Sequence, residues 1–200
     1  MTRGARGLSP VRTAEHVETA PNPTPPVSSA ATLRDAPVRL DAPPSGALRE
    51  RIAASEAVDL LIFRAGGELF ATDLGAVEEA VEQPVIQPIP DAPVSLLGVV
   101  PVRDRMLPIY SPEGALRVAL CGAPAAMVVL RTRARRLGLA VDDVEDVIAL
   151  EPGALRPAPG VEDADGVLLG VMWRDGDLVS VVDPEAIAAA CQIEAPTEVP

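Results

Sequence analysis

Short apolar runs alternate with polar breaks from Val58 almost to the end of the chain. The runs are rich in Val, Leu and Ile, and they come in pairs separated by a tight turn, which is typical of β-hairpins. Asp175-Gly176 is a strong signal for a type I′ turn. The predicted strands are Val58–Arg64, Gly67–Thr72, Ser95–Val102, Met106–Tyr110, Ala125–Thr132, Arg135–Val141, Val167–Arg174 and Asp177–Asp183.

The segments between these hairpins carry a different pattern. Asp73–Glu82 and Asp142–Ile148 are predicted to be short helical or bent segments, and each is followed by a proline-marked extended connection. Short helices are predicted over Pro112–Arg117 and Pro184–Gln192, the second with Asp183 as its N-cap.

The whole pattern occurs twice along the chain. Leu60–Val81 aligns without a gap with Met127–Ile148 at an offset of 67 residues, and Leu97–Glu113 aligns with Leu169–Glu185 at an offset of 72. Such repetition predicts two copies of one small β unit. Because short strands must cover their own edges, we predict an all-β fold of two barrels with about five strands each.

The first part of the chain lacks the features of a packed domain. Residues 1–56 hold eight prolines and none of the four aromatic residues, so we predict a disordered arm that acts as a leash or carries a docking peptide. Ser45–Ser55 is predicted to form a short helix that is marginal in isolation. The folded domain is predicted to span 57–192, followed by a frayed tail over 193–200.

Charge and hydropathy limit the classes of partner. The chain has a net charge of -12 and no Lys, and residues 57–200 carry ten Arg against 23 acidic residues. This argues against binding to nucleic acid, whose phosphates need cations, and against binding to anionic membranes. The sequence shows neither a secretory signal nor an apolar run long enough to span a bilayer, so we expect a cytoplasmic protein without membrane insertion.

The residues that usually carry catalysis are scarce. The only His is His16, in the predicted arm, and Cys121 and Cys191 lie far apart without a metal or redox spacing. Acidic clusters are interpreted as solvated turns and caps, although Asp163-Ala164-Asp165-Gly166 resembles the opening of a calcium loop. We therefore expect no enzyme activity, no metal and no cofactor.

Two groups of arginines stand out against the acidic background. Arg131, Arg133, Arg135 and Arg136 are predicted to lie at one hairpin, either as a solvated turn or as a contact for an acidic partner. Arg103 lies at the Arg103-Asp104-Arg105 turn, after an apolar run that includes Val100 and Val102. It fits an interface anchor and a plain turn residue equally well.

Four blocks in order resemble the CheW-like domain family. Gly98–Tyr110 is similar to the turn and strand in which the family has Asn-Leu-Arg-Gly, although Pro101 stands where the family has Asn and Asp104 where it has Gly. The other blocks are Ile62–Pro90, Gly138–Leu150 and Leu168–Ile187.

The resemblance implies two intertwined SH3-like barrels and a non-catalytic adaptor. The implied partners are the cytoplasmic tip of a chemoreceptor and the regulatory domain of a CheA-type histidine kinase, with recruitment to receptor arrays. The family motif places a protein-interaction site at Arg103, with Val100, Val102, Asp104 and Arg105 beside it. The alternative function is a divergent interaction module in which the N-terminal arm recruits a different localisation or assembly partner.

Overall fold

The computed structural model describes residues 48–158 and 165–191. The predictions made for residues 1–47, including His16, and for the tail 193–200 therefore lie outside the described residues. The same holds for Asp163 and Ala164 of the calcium-like sequence.

The hairpin pattern predicts the strands well. Every one of the eight predicted strands is present, with ends that differ from the prediction by at most one residue. Two further strands, Val77–Glu82 and Asp143–Leu150, follow the first hairpin of each copy. The strands are β1 Val58–Ala65, β2 Glu68–Asp73, β3 Val77–Glu82, β4 Leu96–Val102, β5 Arg105–Tyr110, β6 Ala126–Arg131, β7 Arg136–Val141, β8 Asp143–Leu150, β9 Leu168–Arg174 and β10 Asp177–Val182.

Strands β3 and β8 correct the prediction of bent or helical segments. Only Leu74–Ala76 forms a 3-10 turn, and Asp73 caps it by accepting a hydrogen bond from the Gly75 N–H at 3.0 Å. The register shifts between Val77 and Glu79 where β3 pairs with β6, and the β1–β8 ladder is also shifted. Because a bulge interrupts the alternation of side chains, these two strands lack the period of two that identifies a strand in sequence.

The two copies exchange strands rather than folding separately. One sheet has the order β8-β1-β2-β10-β9 and the other has the order β3-β6-β7-β5-β4. Each sheet therefore combines two strands of one copy with three of the other, and the sequence offsets map one order onto the other. We call them the first and the second barrel, and this arrangement confirms the predicted pair of intertwined five-stranded SH3-like barrels.

Three apolar cores hold the barrels together. Alternate side chains from all five strands of the first barrel form one core, which includes Leu60, Met172 and Val181. The second barrel encloses a smaller core of the same kind. The largest cluster joins the opposite faces of both sheets and contains the stacked pair Phe63 and Phe70, whose ring centroids are 5.8 Å apart. Burial of these side chains is the main stabilising term of the fold.

Three short helices pack against the apolar cores: α1 Leu48–Ala53, α2 Glu113–Leu116 and α3 Pro184–Ala190. Asp183 caps α3, as predicted, by accepting a hydrogen bond from the Glu185 N–H at 2.9 Å. Helix α1 lies within the predicted stretch Ser45–Ser55 and buries Leu48 in the core of the first barrel. In the described residues, no helix is long and apolar enough to cross a membrane.

Candidate protein-interaction surface

The predicted interaction site lies at the tip of the β4–β5 hairpin. Val102 pairs with Arg105, so the turn consists of the two residues Arg103 and Asp104 rather than the three that were predicted. Arg103 adopts a left-handed conformation with φ of 53°, which costs a residue with a side chain about 1 kcal/mol. Arg103, Asp104 and Arg105 are all exposed. The tip therefore presents two cations and one carboxylate to solvent.

Val100 and Val102 do not belong to this exposed surface. Their side chains are 2% and 5% exposed and lie in the core of the second barrel. Successive side chains of a strand point to opposite faces, so Pro101 is the exposed residue between them. Pro101 pairs with Met106 of β5, which is also exposed. The apolar groups offered to solvent at this tip are therefore Pro101 and Met106, and the two valines support the strand from beneath.

Arg103 also closes the seam of the second barrel. Its Nε lies 3.4 Å from Oε1 of Glu79, so the ion pair spans the gap between the edge strands β4 and β3. A similar ion pair joins the edge strands of the first barrel, since Arg174 of β9 donates a hydrogen bond of 2.8 Å to Asp146 of β8. Glu79 and Asp146 are equivalent at the offset of 67 residues. The Arg103 side chain is 57% exposed, so it remains accessible to a partner.

A second tip with the opposite charge lies at the equivalent place on the first barrel. Trp173 and Leu178 are cross-strand neighbours and are both exposed, with Trp173 at 72%. They correspond to Pro101 and Met106 at the offset of 72 residues. Asp175 and Asp177 take the positions of Arg103 and Arg105. We call the β4–β5 end, with Pro101, Arg103, Arg105 and Met106, the basic tip, and the β9–β10 end, with Trp173, Asp175, Asp177 and Leu178, the acidic tip.

Sequence reasoning missed the acidic tip, although a signal for it exists. Trp173 occupies the outward position of a strand whose neighbours Met172 and Arg174 are buried and half-buried. A large aromatic residue on the solvent face of a hairpin has no role in the core. A depression of about 290 Å³ lies beside Leu178 and is lined by Arg64, Gly67, Glu68, Leu69, Asp177, Leu178 and Ser180. The depression shares Asp177 and Leu178 with the acidic tip.

The arginine cluster at the β6–β7 hairpin is largely engaged within the chain. Arg136 donates two hydrogen bonds, of 2.7 and 2.6 Å, to the Glu78 carboxylate. Arg135 donates to the carbonyl of Ala188 at the end of α3. Arg133 is the exposed arginine of this turn. These contacts favour a structural role over the alternative of a docking patch for an acidic partner.

The groups with nucleophilic chemistry are in unfavourable environments. Both cysteines are free. Burial raises the pKa of the Cys191 thiol, and the Asp142 side chain raises the pKa of Cys121. A raised pKa disfavours the thiolate, which is the reactive form. The described residues contain no group of three or more His, Cys, Asp or Glu side chains placed to hold a metal ion.

The described residues form two interlocked barrels, each with charged residues around an exposed apolar pair at its tip, and this arrangement defines a β-barrel module. Residues 59–192 match the CheW-like domain, and the chain belongs to that family. Residues 48–58, which include α1, precede the matched region.

Similar proteins agree with this assignment. A chemotaxis protein CheW of Rhizobium meliloti (strain 1021) is 26% identical over 141 residues, which cover 68% of this chain and 91% of that protein. The chemotaxis protein CheW of Treponema pallidum (strain Nichols) is 25% identical over 147 residues, covering 70% and 86%. The crystal structure of the scaffolding protein TtCheW from Thermoanaerobacter tengcongensis matches with a TM-score of 0.55 at 21% identity, over 62% of this chain and 88% of that one, and shows the same fold.

Proposed function

We propose that the chain is a non-catalytic scaffold that couples a chemoreceptor to a CheA-type histidine kinase. Its membership of the CheW-like family over residues 59–192 supports this role, since the named relatives are chemotaxis proteins. The observation that carries the proposal is the pair of exposed tips with opposite charge. The scaffold works in the cytoplasm and is recruited to receptor arrays by its partners, without inserting into the membrane. Its net negative charge disfavours binding to anionic membrane surfaces and to nucleic acid.

Each tip has the composition of a small protein-protein interface. An apolar centre of two cross-strand side chains supplies affinity, and the charged residues around it select the partner. At the basic tip, Arg103, Asp104 and Arg105 make the contact, while Val100 and Val102 hold the strand in place. The regulatory domain of the kinase, which shares this fold in the family, is the partner that fits surfaces of this kind, and the receptor tip binds the same module.

A charge-reversal experiment tests the role of the basic tip. The full chain is prepared with Arg103→Glu, with Arg105→Glu and with Arg133→Glu, which makes the same charge change at the exposed turn of another hairpin. Binding to the regulatory domain of a CheA-type kinase and to a receptor-tip fragment from the same genome is measured by calorimetry. We expect the first two substitutions to weaken binding to at least one of these fragments about tenfold or more, and Arg133→Glu to leave it unchanged.

Thermal unfolding separates binding from stability in the same set of proteins. Exposed substitutions usually change the free energy of unfolding by less than about 0.5 kcal/mol, so we expect Arg105→Glu to unfold like the unaltered chain. Arg103→Glu also places two acids together at the seam, and Glu79→Gln in the same chain relieves that repulsion. The proposal fails if the unaltered chain binds neither fragment, or if Arg133→Glu weakens binding as much as the tip variants do.

The alternative in which the N-terminal arm selects the partner is tested by a deletion. Helix α1 precedes the matched residues 59–192 yet is packed on the first barrel. Because Leu48 is buried, the discriminating deletion removes residues 1–47 and leaves α1 in place. Unchanged binding to kinase and receptor fragments supports coupling through the barrels, whereas loss of binding supports recruitment by the arm.

A further inference from the structure

Helix α1 is held on the first barrel by two kinds of contact. Leu48 is 2% exposed and Ile52 is half-buried, and both join the apolar core of that barrel. One turn along, Arg51 donates a hydrogen bond of 2.5 Å from Nη1 to Oδ2 of Asp73. Arg49 and Glu50 lie on the exposed side of the helix. The docked face therefore presents an arginine three residues after one apolar anchor and one residue before the next.

Asp73 is an unusual residue for the end of a barrel strand. Its side chain is 3% exposed, and burial raises its pKa, while the Arg51 guanidinium partly offsets that effect. Asp59 and Asp183 add further negative potential around it. At the offset of 67 residues, the second barrel has the buried residue Ala140. A barrel of this kind thus forms without a buried carboxylate at that position.

The contacts of the Asp73 carboxylate explain its presence at this position. One oxygen of Asp73 caps the 3-10 turn at Leu74–Ala76, and the other is directed to Arg51. A buried charge costs free energy unless it is paired, so the site selects an occupant that carries a matching cation. We call the surface formed by Asp73 and the apolar core residues beneath α1 the helix seat.

The length of α1 makes its docking a local equilibrium. A helix of six residues is not stable alone in water, so α1 is helical only while it is packed on the seat. Four residues, 54–57, connect it to β1. The barrel strands are held by ladders and by the three cores, whereas α1 is held by two apolar side chains and one ion pair. It can therefore open without unfolding the barrels.

We propose that the helix seat is a further protein-binding site, which takes an amphipathic partner helix with the pattern apolar-x-x-Arg-apolar and is closed by α1 as a built-in competitor. The site is separate from both tips and does not depend on the coupling role. The partner is identified by its chemistry, namely an arginine for Asp73 and two apolar side chains for the core. Binding requires α1 to leave the helix seat. The apparent affinity for a partner is therefore the intrinsic affinity multiplied by the fraction of molecules in which α1 is undocked.

A peptide experiment on the full chain tests this site. A fluorescent synthetic peptide of residues 45–57 serves as the probe, and Leu48→Asp in the full chain releases the resident helix. We expect the peptide to bind the Leu48→Asp chain at least about tenfold more tightly than the unaltered chain, in which α1 competes at high effective concentration. An Arg51→Glu peptide should bind about tenfold or more weakly than the unaltered peptide, whereas an Arg49→Glu peptide, changed on the exposed side, should bind normally.

Hydrogen exchange of the unaltered chain gives an independent readout if Leu48→Asp unfolds. We expect the amides of α1 to exchange through an opening that leaves those of β1 and β6 protected. The proposal is overturned if the amides of α1 exchange only together with those of the barrel strands. It is also overturned if the Arg49→Glu and Arg51→Glu peptides bind equally well, or if the unaltered peptide does not bind a folded Leu48→Asp chain. If the unaltered chain forms a dimer and Leu48→Asp abolishes it, the helix seat binds α1 of a second copy. That result would overturn the proposal of a different partner protein.

Discussion

A single carboxylate, Asp73, illustrates how local environment sets the properties of a residue. Desolvation raises its pKa above the ordinary value of 3.8, against the opposing effects of the Gly75 N–H and of Arg51. A group with a raised pKa binds its proton more tightly in the folded state than in the unfolded state. Its contribution to stability is therefore complete below 3.8 and is lost as the pH rises through the pKa of the folded state.

Asp73→Asn gives the matching prediction, because the amide keeps the shape of the side chain but does not titrate. We expect the free energy of unfolding of the unaltered chain to increase relative to that of Asp73→Asn as the pH falls toward 3.8. Denaturant unfolding of both proteins over a series of pH values measures this difference. A difference that is constant with pH, or that changes in the opposite direction, would show that the Gly75 N–H and Arg51 match or outweigh the effect of desolvation on the pKa of Asp73.

At the scale of the elements, the sequence predicts the strands of the four hairpins better than β3 and β8, which belong to no hairpin. Strands such as β1 and β6 follow from apolar runs and turn residues, which are local properties. The edge strands β3 and β8 are missed because their bulges and half-buried charged residues remove the alternation of side chains. Pairing across the seam, as between Arg103 and Glu79, depends on how the sheet curls and is not readable from spacing.

The candidate site shows the same division between local and distant information. The turn at Arg103 is placed correctly by the sequence, because turn residues interrupt a regular pattern. The outward direction of Pro101 and the inward direction of Val100 depend on the register of β4 with β5, which the apolar run alone does not fix. Trp173 becomes informative only when its equivalence to Pro101 is known and its burial can be measured.

Trp173 provides the prediction that belongs to the hairpin scale. Exposed tryptophans often dominate interface energies, so we expect Trp173→Ser to weaken binding of the kinase regulatory domain about tenfold or more. Val85→Ser is the control, since Val85 is 73% exposed and Trp173 is 72% exposed, but Val85 lies in the connection between β3 and β4. Calorimetric binding and thermal unfolding of both variants test this expectation, and equal binding by both would exclude the acidic tip from the interface.

The whole molecule is organised by the exchange of strands between the two copies. The first copy supplies β1 and β2 to the first barrel and β3, β4 and β5 to the second barrel. The largest core includes side chains from both sheets and from α2 and α3. Neither copy can therefore bury its apolar faces alone, and long-range contacts of this kind make folding cooperative over both barrels.

Fragments of the chain test this dependence. The chain is divided after Gly122, in the segment between α2 and β6, into residues 48–122 and 123–191. We expect neither fragment to unfold cooperatively as a monomer, and we expect an equimolar mixture to regain the strand content and the single unfolding transition of the full chain. Light scattering is needed beside circular dichroism, because two molecules of one fragment could exchange strands as the two copies do. A fragment that folds as a monomer would show that a single copy encloses a sufficient core, and the intertwining would then be dispensable for stability.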